Sequence, residues 1–274
     1  MIYAAVGRLW VKRMNYFIEG LQGSGKSTLV RKLSEKLPGH TVFHEGDYSP
    51  VELAWCARMD RETYESELKK YPALRNEIEA KSAAEGKWKI TCYTKIRTDE
   101  PGFYQDMEQH EIYNGRMPLP EFRETVLSRF RAWNGSDSIF ECSIFQNIVE
   151  DMILYRVMRD DDIIALYREV KQALDGKEYR ILYLKTKDIR ENLRTIRRER
   201  TDENGREQWF PLMMDFFDHS PYAKATKRQG ENDLIAHFRH RQELELRICA
   251  EVFPKQAVIL RSKDVDWSVI PASC

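Results

Sequence analysis

The stretch Tyr16-Phe17-Ile18-Glu19-Gly20-Leu21-Gln22-Gly23-Ser24-Gly25-Lys26-Ser27-Thr28-Leu29-Val30 decides the fold. Gly20, Gly25, Lys26 and Ser27 occupy every fixed position of G-x-x-x-x-G-K-[ST], the phosphate-binding P-loop. Tyr16 to Glu19, ahead of it, reads as a short buried parallel strand. Thr28 to Leu37, behind it, reads as a helix with Leu29, Val30, Leu33 and Leu37 on its inward face. Glycines at 20, 23 and 25 remove Cβ atoms, so backbone N–H groups can curl around a phosphate chain. The loop runs into a helix N-terminus, whose unpaired N–H groups and positive dipole end attract anions. Gly20, Gly23, Ser24, Gly25, Lys26, Ser27 and Thr28 are therefore the expected nucleotide-binding set. Lys26 is expected to reach the β- and γ-phosphates, and the Ser27 hydroxyl to ligate Mg²⁺.

Outward from this loop, Pro38-Gly39 marks a turn and His40 to His44 reads as a second strand. It runs into Glu45-Gly46-Asp47, at the carboxyl end of the sheet, where open α/β sheets bind ligands. Either Glu45 or Asp47 can take a proton from a substrate hydroxyl. The competing reading is a turn carboxylate, since Asp47-Tyr48-Ser49-Pro50 also suits a loop. Ser138 to Cys142 reads as a third strand, with Glu141 near its end placed to hold Mg²⁺ directly or through water. The alternative for Glu141 is a surface carboxylate. Tyr179 to Leu184 is the fourth strand, and Gln256 to Leu260, after a long amphipathic helix over Leu234 to Val252, is the fifth.

The helix after the fourth strand is capped by Asp188 with Glu191 three residues on. Ile189, Leu193 and Ile196 form its buried stripe, and Arg190, Arg194, Arg197, Arg198 and Arg200 fill much of the rest. Such a run is usually a solvated face. Here it stands where a lid, about 185–206, would close over phosphates, and the planar arginine fork suits phosphate oxygens.

Residues 51–135 break the strand–helix alternation and read as a mainly helical insertion, with helices over Val51–Met59, Arg61–Leu68, Ala73–Glu85 and Glu121–Ala132. Lys87 to Lys95 reads as a short strand or extended segment. The aromatics here, Trp55, Tyr64, Trp88, Tyr93, Phe103, Tyr104, Tyr113 and Trp133 among them, are mostly packing, with a few expected to line a substrate pocket. Asn147–Arg156 and Asp162–Leu174 read as further helices. His237 and His240 read as helix-surface residues rather than a metal set. Residues 1–13 read as an N-terminal extension, leaving 14–50 and 136–274 as the core.

The 274 residues allow a sizeable core, and 44 basic residues against 44 acidic ones give no global drive towards nucleic acid or an anionic membrane. Five cysteines without a C-x-x-C point to reduced thiols and a cytoplasmic protein. No apolar run approaches a membrane span, and the first 13 residues make a poor signal peptide.

Four features together resemble the P-loop kinases of nucleosides and nucleotides, the deoxyribonucleoside kinase and thymidylate kinase group. Gly20 to Thr28 matches the loop. Glu45 falls where that group carries its general base, and Glu141-Cys142-Ser143 resembles its Glu-Arg-Ser. Arg194, Arg198 and Arg200 reproduce the Arg-x-x-x-Arg-x-Arg of its lid. Cys142 departs from the family's arginine, and Asn147 from its base-reading aspartate.

The resemblance implies an α/β P-loop NTPase fold with a five-stranded parallel sheet flanked by helices. It implies ATP- and Mg²⁺-dependent transfer to the hydroxyl of a nucleoside-like or other small alcohol. Lys26, Glu45 or Asp47, Arg194, Arg198 and Arg200 would be catalytic, and Ser27 and Glu141 would hold the metal. The expected partner is a small-molecule acceptor, with no nucleic acid and no membrane; the sequence leaves a homodimer open. The alternative is a P-loop ATPase or nucleotide-binding regulator acting on a protein partner. A GTPase switch is not expected, since no N-K-x-D occurs.

Overall fold

The computed structural model describes residues 14–265. The expected extension over residues 1–13, and Trp267 at the end of the chain's closing stretch, lie outside them. Strand β1 (Asn15–Gly20) leads through the glycine loop into helix α1 (Lys26–Lys36), and β2 (Thr41–Phe43) follows. Then come β3 (Ala57–Met59), α2 (Arg61–Lys70), α3 (Arg75–Ala80), β4 (Ser82–Glu85), β5 (Trp88–Thr91), α4 (Phe103–Glu108) and α5 (Leu119–Ala132). The chain re-enters the main sheet as β6 (Ser138–Glu141) and continues through α6 (Gln146–Glu150), a π-helical turn at Asp151–Tyr155 and α7 (Asp160–Ala173). It ends with β7 (Tyr179–Lys185), α8 (Ile189–Glu199), α9 (Trp209–Asp218), α10 (Pro221–Thr226), α11 (Glu231–Glu251) and β8 (Ala257–Arg261).

The five core strands pair all-parallel in the order β2-β6-β1-β7-β8. Side chains alternate faces along a strand, and both faces are covered here, so the strands read as continuous apolar runs. Tyr16, Ile18, Ile139, Leu182 and Leu184 pack with Leu29, Val30 and Leu33 of α1. Phe17, Phe140, Ile181 and Tyr183 point the other way, into the larger core formed with α5, α6, α7 and α11. Phe17 stacks on Phe140 with ring centroids 5.0 Å apart, and Trp133 meets both edge-on. Burying each such ring contributes about 1.5–3 kcal/mol.

The segment over 51–135 differs from the expected helical insertion. Val51–Met59 is a loop that ends in β3, and the last four residues of Ala73–Glu85 are β4. With β5 these form an antiparallel sheet in the order β3-β5-β4. The run Ser82-Ala83-Ala84-Glu85 has fair helix propensity, but Gly86 at φ 60° turns the chain back and cross-strand pairing with Trp88–Thr91 overrides it. A small core of its own gathers Met59, Tyr64, Leu68, Tyr71, Ile78 and Phe103. The same stretch also enters the main core through Leu53, Cys56, Phe122 and Phe130. Arg129, buried on α5, ties Glu85 of the small sheet to the Ser49 carbonyl.

His237 is also corrected. It is fully buried and its Nε2 lies 3.2 Å from Glu150 Oε1, so it belongs to a buried charge cluster rather than to the surface of α11. No helix among the described residues is long and apolar enough to cross a membrane.

Candidate active site

β1 ends in a glycine loop whose geometry depends on α8. Gly23 has φ 70°, and a Cβ there would lie 2.2 Å from Ile196 Cγ1, so α8 packs directly on the loop only because position 23 has no side chain. Asn192 Nδ2, one turn earlier on α8, donates to the Gln22 carbonyl at 2.7 Å. Ser262 Oγ, just after β8, donates to the Ser24 carbonyl at 2.8 Å. Gly25, φ 96°, is the N-cap of α1, and the space where its Cβ would point is open within 4 Å. The loop is thus pinned on its flanks and free at the helix N-terminus, where an anion is favoured. Lys26 Nζ is turned inward and donates to the Gly20 and Leu21 carbonyls, each at 2.9 Å.

Ser27 Oγ donates to Glu141 Oε1 at 2.5 Å, while His44 Nδ1 lies 2.9 Å from Oε2 of the same carboxylate. A hydroxyl and a carboxylate in contact are hard oxygen donors of the kind Mg²⁺ takes, so the residues fit the expected ion. Cys142 follows Glu141 at φ 59° and is buried. Such strain in a non-glycine residue persists only where its surroundings impose it. Cys142 does not line the adjoining cavity.

The loop, the Ser27–Glu141 pair and Glu45 line one cavity of about 950 Å³. Glu45 Oε1 accepts from Trp55 Nε1 at 2.9 Å and from Gln146 Nε2 at 2.7 Å. Gln146 begins α6, and its backbone N–H donates at 3.3 Å to Glu19, which also accepts from the Ile144 N–H at 2.8 Å. A fully buried carboxyl on β1 therefore positions the helix whose side chain positions Glu45. Burial pushes the Glu19 carboxyl up to about 7 despite those two N–H donors.

The two carboxylates after β2 separate clearly. Asp47 caps its own turn, accepting from the His44 N–H at 2.8 Å and pairing with Lys95 at 3.1 Å, and does not line the cavity. The arginines separate as well. Arg200, at the end of α8, lines the cavity with its guanidinium 5.5 Å from the Trp209 ring centroid. Arg194 and Arg198 lie on the outer face of α8, 61% and 69% exposed, and pair with Glu191. Thr28 lines the cavity with the loop, whereas Gly20 and Ser24 are behind it. A second recess of about 400 Å³ adjoins at Gly25 and Thr28, bounded by Lys32, Leu184 and Lys263–Val265.

Sequence reading missed Gln146, His44 and the whole of α9. That helix supplies Trp209, Met213 and Phe216 to the cavity. In its sequence Trp-Phe-Pro-Leu-Met-Met-Asp-Phe-Phe-Asp the buried residues Phe210, Met213 and Phe217 keep the i, i+3, i+7 spacing of a helix, so the 3.6-residue stripe is present there to be read. Pro211 falls in the first turn, where no intrahelical N–H bond is lost. Of the insertion's aromatics, Trp55, Tyr93, Tyr104 and Tyr113 reach the cavity.

No family model matches this chain, and no curated protein matches it.

Proposed function

We propose that the chain is a P-loop kinase that transfers a phosphoryl group from ATP, with Mg²⁺, to a hydroxyl of a small molecule. One observation carries this reading: the glycine loop, the Ser27–Glu141 pair and Glu45 all open onto a single cavity large enough for a small acceptor. A hydrolase whose acceptor is water would use a carboxylate in the same place but does not need the enclosed volume.

The phosphate chain of the donor would lie against Gly23–Thr28, with its base directed to the smaller recess at Lys32 and Lys263–Val265. Lys26 would exchange its two loop carbonyls for phosphate oxygens. Ser27 and Glu141 would hold the metal ion, which when bound offsets negative charge on the phosphates. Both hydrogen bonds to Glu45 fall on Oε1, which leaves Oε2 as the oxygen that would take the proton of the acceptor hydroxyl. Arg200 would face the charge spread over the transferred group.

The test is ADP release from Mg-ATP against a panel of nucleosides, sugars and other hydroxylated small molecules, with Lys26→Ala in parallel. Stimulation by one class, lost in Lys26→Ala while the far-ultraviolet spectrum is kept, supports the kinase. Slow hydrolysis indifferent to every small molecule overturns it and favours an ATPase acting on a protein partner.

A further inference from the structure

Cys56 and Cys92 meet just behind the cavity, whose lining includes their chain neighbours Trp55 and Tyr93. Both are free thiols, and their Sγ atoms lie 3.6 Å apart. The contact follows from sheet register. β3 and β5 pair antiparallel with Ala57 opposite Thr91 and Arg58 opposite Ile90, so one step further out Cys56 faces Cys92. The Arg58 N–H turns away from β5 to the His110 carbonyl, and the Cys92 N–H turns to the Lys81 carbonyl. Arg58–Ile90 and, two residues on, Cys56–Cys92 are thus positions of the non-hydrogen-bonded kind, where facing Cα atoms are about 4.5 Å apart and side chains are closest. A disulfide needs Cα atoms about 4.4–6.8 Å apart, so the register already places the backbone for one.

The pair is also joined to the turn that carries Glu45. Cys56 Sγ lies 3.9 Å from the Gly46 carbonyl oxygen and 3.8 Å from that of Asp47. Trp55, one residue before Cys56, is the residue whose indole N–H donates to Glu45. Its φ of 62° is a conformation that a bulky side chain keeps only where its surroundings impose it. The two thiols differ in access. Cys56 is fully buried, whereas Cys92 is 6% exposed, so an oxidant meets Cys92 first. The Cys56 thiol, donating to Cys92, holds the Cys92 thiol below its ordinary value; burial and Asp47 oppose this, and Lys95 and Lys81 assist it.

We propose that Cys56 and Cys92 are a redox modification site, closed by a small hydroperoxide into a reversible disulfide that loosens the Glu45 turn. The Cys92 thiolate attacks one peroxide oxygen, and the O–O bond breaks to leave a sulfenic acid on Cys92 and hydroxide, which takes up the Cys92 proton as water. The Cys56 sulfur then attacks the Cys92 sulfur, and the hydroxyl leaves as a second water with the Cys56 proton. Two thiols give up two electrons and two protons, and hydrogen peroxide becomes two waters. The sulfurs close from 3.6 Å to about 2.05 Å. Cys56 then has no thiol hydrogen for the Gly46 and Asp47 carbonyls, and Trp55 moves with it. The disulfide stands on geometry alone, whereas its effect on catalysis rests on the kinase reading.

The experiment treats the full chain with hydrogen peroxide, blocks the remaining thiols with N-ethylmaleimide and maps tryptic peptides by mass spectrometry. The expected product joins residues 37–58 to residues 90–95, is lighter than the two peptides by two hydrogens, and is released by dithiothreitol. Deuterium exchange of the backbone amides over residues 44–56 should be several-fold faster in the cross-linked chain than in the reduced one. Cys92→Ser, or Cys92→Ala should the first not fold, should exchange at the same rate with and without peroxide. Both thiols still blocked by N-ethylmaleimide after peroxide, or a sulfinic acid on Cys92 without the cross-link, overturns the disulfide. Unchanged exchange in the cross-linked chain overturns its hold on the Glu45 turn. Neither readout uses a nucleotide. Mg-ATP binding by the reduced chain is titrated in parallel, and its absence removes the kinase reading while leaving the cross-link to be judged by its own peptides.

Discussion

Ser27 Oγ and Glu141 Oε1 meet at 2.5 Å, joining the first turn of α1 to the end of β6 across 114 residues of sequence. Two core strands must be adjacent and in register for this contact to exist, and Ile18 opposite Glu141 is that register. Glu141→Gln keeps the size of the side chain but removes its charge. The Mg²⁺ concentration for half-maximal ADP release is expected to rise about 10–100-fold. A magnesium titration of the variant that overlays the parent curve would remove Glu141 from the metal pair.

Glu45 and Asp47 are two residues apart and differ in what they face. Glu45→Gln should lower turnover by about 10²–10⁴-fold, the range of a lost general base. Asp47→Asn should keep turnover within a few-fold and cost stability instead, since Asp47 holds its own turn and Lys95. Steady-state rates of the two variants, measured side by side, decide it; the opposite ranking would move the base to Asp47.

The arginines give a second ranking. Arg200→Ala should reduce kcat by about 10³-fold, as for loss of a charge-stabilising arginine. Arg194→Ala and Arg198→Ala, on the exposed face with Glu191, should stay within a few-fold. Equal losses in all three would mean that α8 turns its outer face inward during the reaction.

Glu19 makes stability depend on pH. Its ordinary value is near 4.5 and burial raises it to about 7, so the folded chain holds this proton more tightly than the unfolded one. Stability should therefore fall as pH rises from about 4.5 to about 7, then level off, a loss on the order of 3 kcal/mol. Glu52, raised to about 8 by burial, acts in the same direction. Glu19→Gln should flatten part of this slope, although it forfeits one N–H bond to Ile144 or Gln146, worth about 1 kcal/mol. Urea unfolding at several pH values reads the slope directly, and an unchanged slope in the variant would acquit Glu19.

Much of the fold was legible because its signals are local. The P-loop spacing, the apolar runs at 16–19 and 179–184, and the Asp188 cap, which accepts from the Glu191 N–H at 3.0 Å, each sit within a few residues. What escaped depends on distant partners. Ser82–Glu85 becomes a strand through its pairing with β5. α9 keeps a helical stripe at Phe210, Met213 and Phe217, but the cavity it lines follows only from packing against distant elements. The role of Gln146 cannot be read from its neighbours in sequence, since it is set by Glu19 below and Glu45 above. The choice of Arg200 over Arg194 and Arg198 follows from which face of α8 Ile196 buries.

The contact between Gly23 and Ile196 has a consequence for inheritance. Position 23 is a free letter in G-x-x-x-x-G-K-[ST], yet here a Cβ would lie 2.2 Å from a neighbour on another helix. The two positions are locked to one another. A descendant that gains a side chain at 23 must shorten the residue at 196 or lift α8 off the loop, and lifting α8 displaces Arg200 from the cavity. Substitutions at these two sites should therefore arrive together or not at all, which makes a residue on the arginine helix part of the glycine motif in all but sequence.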